Sequence, residues 1–148
     1  MTIAVDFDGT IVEDRYPAIG EEYPFATDTL RMLIADRHKL ILWTVREGRE
    51  LDEAVEWCRE HGVEFYAVNK DYPEETLENN PYYSRKLKAD IFIDDRNIGG
   101  RPDWGVIYDM VKHRKTWSNI MDENKSDNPY ISGNSKYCKT LKKKWWQF

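Results

Sequence analysis

The chain has 148 residues, 41% hydrophobic and 33% charged, with a formal net charge of −5 at pH 7. That is enough for one domain with a full core, and it excludes an intrinsically disordered polymer. No apolar run approaches the roughly 20 residues of a membrane-spanning helix. Cys58 and Cys138 are the two cysteines. They give no disulfide framework, and the opening residues show no secretory pattern, so the expected setting is reducing and cytoplasmic. Charge is uneven: residues 109–148 hold nine Lys/Arg against four Asp/Glu, leaving the body acidic. An acidic body argues against nucleic-acid binding outside the tail.

In chain order, Ile3-Ala4-Val5 reads as a buried strand, β-branched and too short for a helix. It ends in Asp6-Phe7-Asp8-Gly9-Thr10. Side chains two apart on a strand share a side, so Asp6 and Asp8 are expected close together. Two carboxylates at such range repel by about 4 kcal/mol at an effective dielectric near 20. A shared proton, a basic group or a divalent cation must offset that. Ile11–Tyr23, with Pro17 and Gly20, reads as a loop or short hairpin. Pro24–Arg37 is a helix candidate through Leu30, Leu33 and Ile34. Lys39–Trp43 is a second strand, stopping at Thr44-Val45-Arg46. Arg49–His61 is the clearest helix, with Leu51, Ala54, Val55 and Cys58 on one face and Gly62 placed to end it. Val63–Val68 is a third strand, and Glu74–Tyr83 a loop or short helix. Ala89–Ile93 is a fourth strand, ending in Asp94-Asp95-Arg96-Asn97. Trp104–Trp117 completes the pattern as a helix.

Strands alternating with helices predict a Rossmann-like, three-layer α/β/α sandwich around a mostly parallel sheet. Three polar clusters, Asp6–Thr10, Thr44–Arg46 and Asp94–Asn97, each follow a strand directly. A parallel sheet brings them to one edge. Clustered carboxylates suit a hard cation such as Mg²⁺, which takes oxygen ligands and substrate phosphate oxygens. No His/Cys set has zinc-like spacing, and there is no glycine-rich phosphate loop. A carboxylate can also attack phosphorus, with a second one moving the proton.

With those motifs in hand, the chain resembles the haloacid dehalogenase superfamily of phosphohydrolases. The resemblance rests on Ile3–Thr10 as an hhhhDxDxT motif, Thr44 ending the second strand, a lysine upstream of the fourth strand, and Asp94-Asp95 ending it. It covers about residues 1–110. It implies a Mg²⁺-dependent phosphomonoesterase working through an aspartyl-phosphate. Asp6 would be nucleophile and metal ligand. Asp8 would be the general acid/base and lend its backbone carbonyl to the metal. Thr44 would bind the phosphoryl group, with Arg46 on the phosphoryl or leaving-group side. Asp94 and Asp95 would complete the metal site. Lys86 is favoured over Lys88 as the motif lysine. The spacing leaves no room for a separate cap domain of about 50 residues. An open site suits a phosphorylated small molecule or macromolecule, or a pocket completed by another subunit.

Two segments follow: a catalytic domain over 1–118 and a basic, aromatic tail over 119–148. The tail's Lys142-Lys143-Lys144-Trp145-Trp146 could touch nucleic acid or an anionic membrane surface, or dock on the body. The competing readings are a catalytically silent scaffold of the same fold and a receiver-like phospho-acceptor domain. Thr44, where a receiver would carry its acceptor aspartate, counts against the second.

Overall fold

The computed structural model describes residues 1–116, 118 and 119; the predicted tail lies almost wholly outside them. The elements run β1 (Thr2–Val5), α1 (Ala26–Ala35), β2 (Lys39–Leu42), α2 (Gly48–Glu60), β3 (Ala67–Val68), β4 (Ile91–Ile93) and α3 (Trp104–His113). The four strands form one sheet in the order β3-β2-β1-β4, and every pairing is parallel. With three helices this is a small Rossmann-like α/β fold. No separate cap folds among the described residues. The chain divides into two units, Met1–Val106 and Ile107–Phe148. The sheet, α1, α2 and every residue of the candidate site described below lie in the first.

Strand order explains where a site can form. The connections β1–α1–β2 and β2–α2–β3 step the same way across the sheet. Right-handed crossovers therefore put α1 and α2 on one face. The return from β3 to β4 crosses to the far side of β1. The chain thus leaves the sheet in opposite directions beside β1 and β4, which opens a crevice at their carboxyl ends. The sheet's other face carries Ala4, Ile41, Ala67 and Phe92, in register with one another. Leu87, from the β3–β4 connection, is buried among them, with Trp43 and Ala89 alongside.

Local chemistry sets the element ends. Phe25 sits in the left-handed region at φ 65°, so α1 starts two residues after the expected Pro24. Val63 N–H bonds to the Cys58 carbonyl and Gly62 N–H to that of Arg59, a Schellman closure with Gly62 at φ +76°. That closure takes up the backbone at Val63, so the third strand is shorter than the predicted Val63–Val68. Only Ala67 and Val68 pair with β2, after a lead-in bond from Tyr66 N–H to the Leu40 carbonyl. The fourth strand is shortened likewise, but Asp90 anchors its start. Asp90 N–H reaches the Thr2 carbonyl, and its carboxylate accepts Thr2 N–H at 2.7 Å. Arg114, at φ 52°, ends α3 before the predicted Trp117.

Candidate functional site

The site grows from ladder bonds that run past the strand ends. Asp6 N–H donates to the Ile93 carbonyl at 3.0 Å, Trp43 N–H to Val5 at 2.8 Å and Asn69 N–H to Leu42 at 2.8 Å. These bonds hold the residues after β1, β2, β3 and β4 along one edge. At the β1–β4 crevice, carboxylate oxygens of Asp6, Asp94 and Asp95 all lie within 4.8 Å of one another. Asp6 is 9% exposed and the other two are half-buried. Among the described residues, no Lys or Arg forms an ion pair with any of the three. Burial, followed by the charges of Asp94 and Asp95, pushes the Asp6 carboxyl up to about 7. The Phe7 backbone N–H and the Arg96 charge oppose this only partly.

Thr10 ties the cluster together. Its hydroxyl lies 3.4 Å from Asp6 Oδ2 and 3.5 Å from Asp95 Oδ1, and accepts Asp95 N–H at 3.0 Å. Thr10 is fully buried, and its carbonyl accepts the indole N–H of Trp104 at 3.2 Å. Gly9 makes the close approach of Asp95 possible. A Cβ there would lie 2.4 Å from Asp95 Oδ2, and its φ of +77° disfavours a side chain in any case. Asp94 is shaped by its own turn, accepting Arg96 N–H at 2.8 Å.

Asp8 has quite different surroundings. Arg46 Nε donates to its Oδ2 and Arg46 Nη2 to its Oδ1, both at 2.7 Å. Arg46 is 0% exposed. It also donates to the carbonyls of Ala18 at 2.8 Å, Pro17 at 3.0 Å and Glu50 at 3.5 Å. Its guanidinium carbon stands 5.1 Å from the centre of the Phe7 ring and 5.3 Å from that of Tyr16. The hydrogen bonds to Asp8 hold the Arg46 proton more firmly than usual, against the opposing effect of burial.

The sequence-predicted residues therefore divide. Asp6, Asp94 and Asp95 come together; the Asp8 carboxylate faces Arg46 instead. Arg46, expected on the substrate side, has no exposed surface, and its donors are spent within the protein. The physical cause is local: a guanidinium beside a buried carboxylate, two loop carbonyls and the Glu50 carbonyl of α2 is held by all of them. Thr44 is half-buried on the same edge. Its N–H bonds to Asn69 Oδ1 at 2.9 Å, and its hydroxyl accepts Arg46 N–H at 3.2 Å, leaving the O–H to donate outward. Neither lysine touches the cluster. The ammonium of Lys86 sits 5.5 Å from the ring centre of Phe92, one same-face step before Asp94. Lys88 lies 3.9 Å from Asp71 and is 81% exposed.

Two residues of this edge escaped the sequence reading as site members. Thr10 was visible inside the motif, but its bridging of two strands needs the β1–β4 pairing. Asn69 was visible only as an Asn after a strand. It occupies the left-handed region at φ 53°, a conformation Asn tolerates better than most residues.

The fold and its edge define a class: a small parallel α/β protein with a carboxylate cluster at the sheet's switch point. No family model matches the chain, and no curated protein does. A solved structure described as the conserved protein coded by a locus of Bacteroides thetaiotaomicron is 67% identical to it. The match covers 81% of this chain and 96% of that one, with a TM-score of 0.75. The chain belongs to the family of that conserved protein.

Proposed function

We propose that the protein is a Mg²⁺-dependent phosphohydrolase of the haloacid dehalogenase type, acting through an aspartyl-phosphate on Asp6. The observation carrying this reading is the convergence of Asp6, Asp94 and Asp95 within 4.8 Å, with no Lys or Arg of the described residues in an ion pair with any of them. An all-oxygen set of clustered carboxylates, one of them pushed up to about 7, is chemistry that a hard divalent cation would relieve. Asp6, Asp94 and Asp95 would hold that ion, which would supply charge neutralisation for the phosphoryl oxygens.

The chain's own residues supply the remainder. An Asp6 oxygen forms a bond to phosphorus while the bond to the leaving oxygen breaks. Thr44 donates its hydroxyl to the phosphoryl group. Lys86, on a flexible stem whose ammonium sits over the Phe92 ring, one same-face step before Asp94, swings in as a further cation. Water then attacks the same phosphorus, releasing phosphate and restoring Asp6. Asp8 gives a proton to the leaving oxygen in the first step and takes one back from that water in the second, so it too is restored. A cytoplasmic setting fits Cys58, a buried free thiol that burial pushes up to about 12.

The test is phosphate release from a panel of phosphomonoesters, with and without Mg²⁺, beside Asp6→Asn. The expected result is metal-dependent turnover that Asp6→Asn abolishes. Turnover that survives Asp6→Asn would overturn the nucleophile assignment. No turnover together with no Mg²⁺ binding by calorimetry would favour the silent-scaffold reading.

A further inference from the structure

We infer that Arg46 is a positioning residue: it orients Asp8 and fixes the Pro17–Ala18 stretch of the β1–α1 loop to it as one unit. The inference rests on the phosphohydrolase reading and gives Arg46 a role in it other than substrate contact. Three observations carry it. Both carboxylate oxygens of Asp8 are engaged by two different nitrogens of one guanidinium, each at 2.7 Å, which fixes the carboxylate's plane as well as its position. The same guanidinium reaches the Pro17 and Ala18 carbonyls, so the loop cannot shift without disturbing Asp8. Arg46 is wholly buried, with the Phe7 and Tyr16 rings nearby, so the fork has no room to rotate.

The arrangement follows the general pattern of a base held in place by a third group, the base here acting on the attacking water rather than on the nucleophile. Asp6 is the nucleophile, Asp8 the base and Arg46 the orienter. An ionised carboxylate has about four lone-pair sites, and Arg46 fills two, leaving others for the attacking water. Lysine at position 46 would keep the charge but lose the two-point hold. The backbone N–H of Arg46 also bonds to the Thr44 hydroxyl. The segment presenting Thr44 and the one presenting Asp8 therefore meet in this one residue.

The experiment is a double-mutant cycle on steady-state hydrolysis of p-nitrophenyl phosphate with Mg²⁺, comparing wild type, Asp8→Asn, Arg46→Lys and the pair. Arg46→Lys should lower kcat on the order of 100-fold, the scale expected for a misplaced reacting group, with KM within about 3-fold. In the Asp8→Asn background the same change should alter kcat by less than about 3-fold, because its effect runs through Asp8. An equal loss in both backgrounds would make Arg46 merely structural and overturn the inference. A raised KM at unchanged kcat would also overturn it, by returning Arg46 to substrate contact. An inactive wild type would instead sink the phosphohydrolase reading, and this role with it. Should Arg46→Lys fail to fold, amide hydrogen exchange over residues 14–20 decides between wild type and Asp8→Asn. Exchange at least about 10-fold faster in Asp8→Asn supports the coupling, and unchanged rates overturn it.

Discussion

Asp6 and Asp8 leave the same strand end two residues apart, and their surroundings are opposite. Asp6 joins two more carboxylates and, among the described residues, forms no ion pair with a Lys or Arg; Asp8 is gripped at both oxygens by a buried guanidinium. The first arrangement stores unfavourable charge where a ligand could relieve it. The second is already compensated and holds a loop. One short motif thus builds an open electrostatic demand and a closed structural clamp side by side. Topology makes the difference. Asp6 faces β4, which ends in acids, whereas Asp8 lies in the turn that meets Arg46, beyond β2.

Removing one side of the clamp should have the largest effect. Arg46→Met leaves the Asp8 charge buried and unpaired and frees the carbonyls of Pro17, Ala18 and Glu50, so about 3–5 kcal/mol of stability should be lost. Urea unfolding measures it. Adding Asp8→Asn should return part of the loss, because the orphaned charge is gone. A loss below about 1 kcal/mol would mean that the clamp is much looser than its geometry.

The cluster should respond in the opposite sense. Asp6 has a folded-state value of about 7, above its ordinary 3.8. Below about pH 4 the group is protonated in both states and contributes nothing. As pH rises from about 4 to about 7, the unfolded chain gives up this proton while the folded one keeps it, so stability falls. Above that window the loss levels off at about 4 kcal/mol for the metal-free protein. Asp6→Asn removes the penalty. The variant should match wild type near pH 4 and exceed it by up to about 4 kcal/mol at pH 8. Unfolding curves in a chelator at the two pH values test this. An Asn variant no more stable at pH 8 would show that Asp6 is relieved by other means.

The contrast also marks how far the sequence was legible. The buried runs Ile3–Val5 and Leu40–Leu42, and the apolar stripe of α2, are short-range patterns, so the parallel α/β architecture could be read from them. The meeting of Asp6 with Asp94 followed from one further step, that strand ends of a parallel sheet share an edge. The partnership of Asp8 with Arg46 was out of reach. It joins residues 38 apart through a turn and a helix entry, and no periodicity encodes a side-chain direction there. Strand lengths were overestimated where loop chemistry intervened, as at Val63, whose N–H closes α2.

The smallest effect should come from the far side of the edge, where Asn69 supports Thr44. Asn69 combines two features that substitution can separate: a side-chain bond to Thr44 N–H and a backbone at φ 53°. Asn69→Gly keeps the backbone comfortable and deletes only the bond, so it should cost about 1 kcal/mol. Asn69→Ala deletes the bond and adds left-handed strain of roughly 1–2 kcal/mol. The difference between the two variants therefore isolates the backbone, and Gly against wild type isolates the support of Thr44. If Thr44 serves the phosphoryl group, the Gly variant should also lower turnover by more than its stability loss alone would cause, since the protein stays folded in the assay. Equal stabilities for Gly and Ala would show that the left-handed turn relaxes, and that Asn69 matters only through its amide.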